Sequence, residues 1–219
     1  MKTEKITVTE EMLTSLREAI GAYQTGKRYN HTLAVEREAK ALGELFLPGE
    51  VNRLRAAALL HDITKIYDAE KQLKICSEFG IIVGREDTEA PKLFHAKTGA
   101  LVAKRDFPDF SDDEIIGAVR WHTTGRAEMS IFEMLIYLAD YIEDTRTFED
   151  CVILRNQFYS GIFEANTMED RLAVLRKTMI TSFDMTIKCL ISEGALIDRD
   201  TLEARNRFIL NEIHMERGL

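Results

Sequence analysis

Helix breakers are scarce: 219 residues contain three prolines and twelve glycines. That excludes a collagen-like, Pro-rich or Gly-rich chain and lets long periodic segments run uninterrupted. Cysteine is equally sparse. Cys76, Cys151 and Cys189 are odd in number, widely spaced and without a CxxC pair, which excludes a disulfide framework and predicts buried thiols in a reducing compartment. No apolar run approaches the ~20 residues a membrane helix needs, and Met1-Lys2-Thr3-Glu4-Lys5 leads into no apolar leader, so a cytoplasmic address is expected and no membrane partner. Positive charge is the minority: 29 Lys and Arg against 37 Asp and Glu give a net charge of −8. This argues against a nucleic-acid surface, which needs clustered cations, but allows a small anionic substrate met by a few local ones. Glycine-rich phosphate loops and the G-x-S-x-G nucleophile elbow are also missing.

What remains is a chain with 45% hydrophobic and 30% charged residues, a balance suited to a folded domain of ordinary to large size. Helical periodicity dominates it. The spacing predicts helices over Glu10 to Tyr23, closed by Gly26, then His31 to Phe46, Glu50 to His61, and Asp68 to Phe79 with Leu73, Ile75 and Cys76 inside. A further helix is expected from Pro91 toward Leu101. Ser111-Asp112-Asp113-Glu114 reads as a capping box before Ile115 to Trp121, and Ser130-Ile131-Phe132-Glu133 as another before Met134 to Asp140. An extra helix carries Phe158, Tyr159 and Phe163. Thr167 opens a long helix to about Glu193, and Asp198 or Asp200 opens the last. Ile81-Ile82-Val83 is the one strand-like run, too short for a sheet. The expectation is one all-α domain spanning 1–219, a helical bundle of about 27–145 with a C-terminal helical extension of about 148–213.

Four of the five histidines, His31, His61, His95 and His122, sit at or near predicted helix ends in apolar stretches, whereas His214 lies in a polar tail. A lone histidine in such a place is more often a satisfied core residue than a ligand. Their order, with Asp62 beside His61 and Asp140 ending the apolar run Leu135 to Ala139, changes that reading. A carboxylate on an apolar face must be paired or bind a metal, because an unpaired buried charge is very costly.

The series His31, His61-Asp62, His95, His122, Asp140 resembles the HD-domain metal-dependent phosphohydrolases. Its flanks, such as Leu59-Leu60-His61-Asp62-Ile63-Thr64-Lys65 and Ile136-Tyr137-Leu138-Ala139-Asp140-Tyr141-Ile142-Glu143, look like the HD-type symmetrical bis(5′-nucleosyl)-tetraphosphatases of bacteria. The likeness runs from about 27 to 206. Two departures stand out: after Glu143 the stretch Asp144-Thr145-Arg146 keeps the family's usual arginine but has Asp144 in place of its proline, and the segment 148–170 is longer than expected.

The resemblance implies an all-α HD fold and hydrolysis of diadenosine tetraphosphate to two ADP by a metal-bridging water or hydroxide. It also implies a pair of metal ions, iron favoured, with manganese, cobalt or zinc compatible with the same donors. His31, His61 and Asp140 would hold one ion, His95 and His122 the other, and Asp62 would bridge them and, with Lys65, carry catalysis. Lys65, Arg28, Thr123, Arg126 and Arg146 are the expected substrate contacts, the alternative for each arginine being an exposed charge of little consequence. Other readings keep the metals but change the substrate to a nucleoside mono- or triphosphate or a cyclic dinucleotide, or make the chain a non-catalytic nucleotide-sensing module. The extra helical segment also permits a homodimer.

Overall fold

The computed structural model describes residues 5–84, 90 and 93–217. Among the described residues every regular element is helical, and no helix is long and apolar enough to cross a membrane. The fold is built around α3 (Val51–Leu60), which is buried on all faces: Ala56, Ala57, Ala58, Leu59 and Leu60 have no exposed surface. A segment as uniformly apolar as Ala56 to Leu60 belongs in the interior, and α1 (Glu10–Tyr23), α2 (Gly26–Phe46), α6 (Asp113–Trp121) and α7 (Ile131–Ile142) pack against α3. Gly43 permits the close approach of α2, since a Cβ there would lie 2.9 Å from Leu54 Cδ1.

Two arginines on α3 are buried and fully paired, as buried charges must be. Arg53 binds Asp112 at 2.6 Å and Glu114 at 2.9 Å, and Arg55 binds Glu36 at 3.1 Å. Around this centre lie α4 (Ala69–Glu78) and α5 (Phe94–Asp106). The chain ends with α8 (Glu149–Glu164), α9 (Met168–Ser192) and α10 (Arg199–Glu216). These last helices share the same apolar core: Phe158 stacks on Phe46 at 6.4 Å, and Phe183 sits 5.1 Å from Tyr137 and 5.8 Å from Phe208.

Several boundaries differ from expectation for identifiable reasons. Gly26 does not close α1, which ends with the Gln24 N–H donating to Ile20 O; Gly26 takes φ +56° and opens α2 instead. Tyr29 packs partly on the core, its hydroxyl donating to Arg17 O at 3.2 Å, so the helix starts early and His31 lies in its second turn. Asp112, not Ser111, caps α6, accepting from Glu114 N and Ile115 N, while Ser111 Oγ donates back to Phe107 O. The Ser130–Glu133 box forms as expected, and Thr167 makes a full box with Asp170. In α4 Ile75 and Cys76 are buried as expected, but Leu73 is exposed and Gln72 is buried instead. The Gln72 carboxamide accepts from Thr98 Oγ1 at 2.6 Å and donates to Tyr67 O at 3.3 Å, bonds that polar burial requires. Cys76 and Cys151 are buried but Cys189 is exposed, and none of the three is in a disulfide. Ile82 is 94% exposed and in no strand. The helix expected from Pro91 is described from Phe94, and Pro91 lies outside the described residues.

Candidate metal centre

His61 is the residue at which α3 stops, and His122 plays the same part for α6. In each case the ring turns back on the last turn. His61 Nδ1–H donates to Ala58 O at 2.6 Å and His122 Nδ1–H to Val119 O at 2.7 Å. A carbonyl accepts only, so Nδ1 carries the proton and Nε2 presents a lone pair. Gly125 follows with φ +67°, its N–H closing on Trp121 O at 2.9 Å, and lets the chain leave α6 sharply. His31 is oriented from α2 differently: its Nδ1 donates to Glu143 Oε1 at 3.0 Å, leaving Nε2 3.0 Å from Asp140 Oδ1.

Asp62 sits between these rings. Its Oδ1 lies 3.1 Å from His95 Nε2 and 3.5 Å from His122 Nε2, while its Oδ2 lies 3.6 Å from His61 Nε2 and 3.9 Å from His31 Nε2. Arg28 Nη1 donates to Oδ2 at 2.7 Å. Asp140 Oδ1 is 3.8 Å from His61 Nε2 and accepts from Arg146 Nη2 at 2.5 Å. His31, His61 and Asp140 form one group able to hold a metal ion, and His61, Asp62 and His122 another.

The charge states follow from these contacts. Burial opposes ionisation of Asp62, but the facing rings of His61, His122 and His95 outweigh it and hold the carboxyl well below its usual range. For Asp140 the Arg146 guanidinium does the same. Desolvation pushes His61 down to about 4 and lowers His95 as well. Burial works against charge on His31 too, yet its bonds to Asp140 and Glu143 prevail and raise it to about 9. Lys65 is lowered by burial; its Nζ lies 3.0 Å from His95 Nε2.

Whether a cation fits is decided by acceptors that no hydrogen reaches. His61 Nε2 and Asp62 Oδ1 are buried without a hydrogen-bond partner. Orphaned buried acceptors cost about 1–3 kcal/mol each, and two of them in one cluster, beside His95 and His122 Nε2 only 3.0 Å apart, suit a metal. The donor set is nitrogen and carboxylate, without thiolate.

The structure thus brings together His31, His61, Asp62, His95, His122 and Asp140, with Arg28, Lys65, Thr123 and Arg146 around them. Thr123 Oγ1 lies 3.0 Å from His122 Nε2. Arg126 stands apart: it binds Glu133 Oε1 at 2.9 Å, is partly exposed, and does not line the cavity at the centre. That cavity, of about 650 Å³, has Lys65, His122, Thr123, Asp140 and Arg146 at its floor and, as walls, Phe148 with residues of α8 and α9 such as Cys151 and Leu190.

Two features had gone unassigned. Glu143, fully buried, accepts from His31 and from Thr145 N and Oγ1; the Asp140-x-x-Glu143 spacing, which puts both on one edge of a helix, was the available signal. The cavity wall from α8 and α9 had none.

An HD domain family model matches residues 28–144, more than half of the chain and every candidate ligand within it. This chain belongs to the HD-domain family. The HD dipeptide is His61-Asp62. Similar curated proteins are "Bis(5'-nucleosyl)-tetraphosphatase, symmetrical" of Bacillus subtilis (strain 168), 34% identical over 90% of this chain and 95% of that one, and the protein of the same name from Staphylococcus aureus (strain NCTC 8325 / PS 47), 31% identical over 75% and 85%. Among solved structures, a "predicted HD superfamily hydrolase involved in NAD metabolism" from Clostridium acetobutylicum is 32% identical with a TM-score of 0.79, over 94% of this chain and 100% of that one. The HD match ends at 144, so the cavity wall from α8 and α9 lies beyond it.

Proposed function

We propose that this chain is a cytoplasmic metal-dependent phosphohydrolase that cleaves diadenosine tetraphosphate symmetrically to two ADP. The observation that carries the reading is the split of Asp62, whose two oxygens face two different histidine pairs at the foot of a cavity with cations on its floor. The names of the similar proteins supply the substrate. His31, His61 and Asp140 would hold metal on one side of Asp62, and His95 and His122 on the other, with Asp62 shared between them. Iron, manganese, cobalt and zinc all suit such donors; the resemblance favours iron. Bound metal supplies Lewis acidity and a water activated near neutral pH.

The chain's own groups do the rest. Arg28 fixes the plane of the Asp62 carboxylate. Glu143 and the Ala58 and Val119 carbonyls set which nitrogen of His31, His61 and His122 is free. Lys65, Arg146 and Thr123 present N–H and O–H donors on the cavity floor, where they receive non-bridging phosphate oxygens and stabilise charge that builds on them during attack.

The test is to incubate metal-loaded protein with diadenosine tetraphosphate and separate the products. Two ADP supports the reading; AMP with ATP, or no product, overturns it. Asp62→Ala should lose on the order of a thousandfold in turnover together with most bound metal, while helical content is kept; undiminished turnover in that variant counts against the assignment.

A further inference from the structure

Phe148 breaks two rules of folding at once. It occupies the N-cap of α8, where Ser, Thr, Asp or Asn would satisfy a free N–H, and it makes no side-chain cap. Its ring is also 71% exposed, although Tyr141, Leu190 and Thr186 line the same cavity close by. Local rules broken without a gain in stability mark places where ligands act. Glu193, on the same cavity, is a second such case. It caps the C-terminal end of α9, where the helix dipole disfavours an acid. Glu149 and Asp150 suit the first turn of α8, but they too face the cavity. The cavity is therefore graded: Lys65 and Arg146 stand with Asp140 at the floor, and an exposed aromatic ring and three exposed carboxylates lie toward the mouth.

We infer that the vestibule between the start of α8 and the end of α9 is a nucleoside subsite that selects against ribose phosphorylation. It rests on the phosphohydrolase reading in one respect, that the phosphate chain lies on Lys65 and Arg146. The base then stacks on Phe148, and the ribose hydroxyls donate to carboxylate oxygens of the rim. A 3′-phosphate, two negative charges placed among three more, is repelled. The subsite accepts a plain nucleoside diphosphate end and rejects its 3′-phosphorylated form.

Calorimetric binding to metal-loaded protein tests this with three probes: ADP, adenosine 3′-phosphate 5′-diphosphate, and inorganic pyrophosphate. Wild type should favour ADP over the 3′-phosphorylated form by about tenfold or more. Phe148→Ala should weaken ADP by about tenfold and leave pyrophosphate within about twofold, with Phe148→Tyr restoring ADP. The triple variant Glu149→Gln, Asp150→Asn, Glu193→Gln should bring the two nucleotides close to parity. Unchanged ADP affinity in Phe148→Ala, an equal loss for pyrophosphate, or intact discrimination in the triple variant would overturn the subsite. Turnover of diadenosine tetraphosphate is read alongside: a wild type that makes no ADP but keeps the ADP-to-pyrophosphate split loses the proposed reaction and retains the subsite.

Discussion

Glu143 holds His31 from behind: the ring Nδ1–H donates to Oε1 at 3.0 Å, and the opposite nitrogen is left facing Asp140. The carboxylate is itself fixed by Thr145, through both its N–H and its hydroxyl. Partners of this kind set the tautomer of a metal-binding histidine, and losing one costs roughly 10–100-fold in metal affinity. Glu143→Ala should show that loss in a metal titration, with Glu143→Gln intermediate because an amide oxygen still accepts. Wild-type affinity in the alanine variant would show that His31 needs no such support.

Metal binding should depend on pH through His31 and not through His61. With the His31 value raised to about 9 and that of His61 lowered to about 4, at pH 7 only the first must lose a proton to bind a metal. Affinity should rise about tenfold per pH unit from 7 toward 9 and level off above it, and calorimetry in buffers of different ionisation enthalpy should find a proton released. For the metal-free fold the sign is opposite. His31 is raised above its ordinary 6.5, so its stabilisation is complete below that value and is lost as pH climbs through about 9. Thermal midpoints of chelated protein should fall across that interval.

Lys65→Ala should lower turnover by about 10²–10³-fold, the usual loss when a charge-stabilising donor is removed, with metal content near wild type. Lys65 Nζ lies 3.9 Å from Asp62 Oδ1 and lines the cavity floor. Loss of metal in this variant would instead make Lys65 a support for the ligand cluster.

Gly125→Ala should destabilise the protein by about 1–3 kcal/mol. The residue has φ +67°, and a Cβ there would lie 2.8 Å from Phe183 Cζ. Denaturant unfolding measures the loss directly. An unchanged midpoint would mean that Phe183 and the turn after His122 yield freely.

The helices and the His and Asp series were legible because both are local or ordered signals: apolar spacing repeats along the chain, and ligands recur in a fixed order. Gly26 misled because a glycine ends one helix as readily as it opens the next, and the tertiary packing of Tyr29 decides between them. Gln72 was invisible as a buried residue, since its partners Thr98 and Tyr67 lie on other segments. Arg126 lies close to His122 in sequence, but in the fold it pairs with Glu133, the residue that forms the capping box of α7. The wall from α8 and α9 rests on contacts between segments far apart in the chain, which no spacing encodes.

The rings of His61 and His122 are each clamped by a carbonyl three residues earlier, so their aim is written into a single turn of chain. The stretches 58–61 and 119–122 are therefore portable: set at the end of another helix, each would arrive with its imidazole already pointed, and only the distance between the two helix ends would remain to be designed.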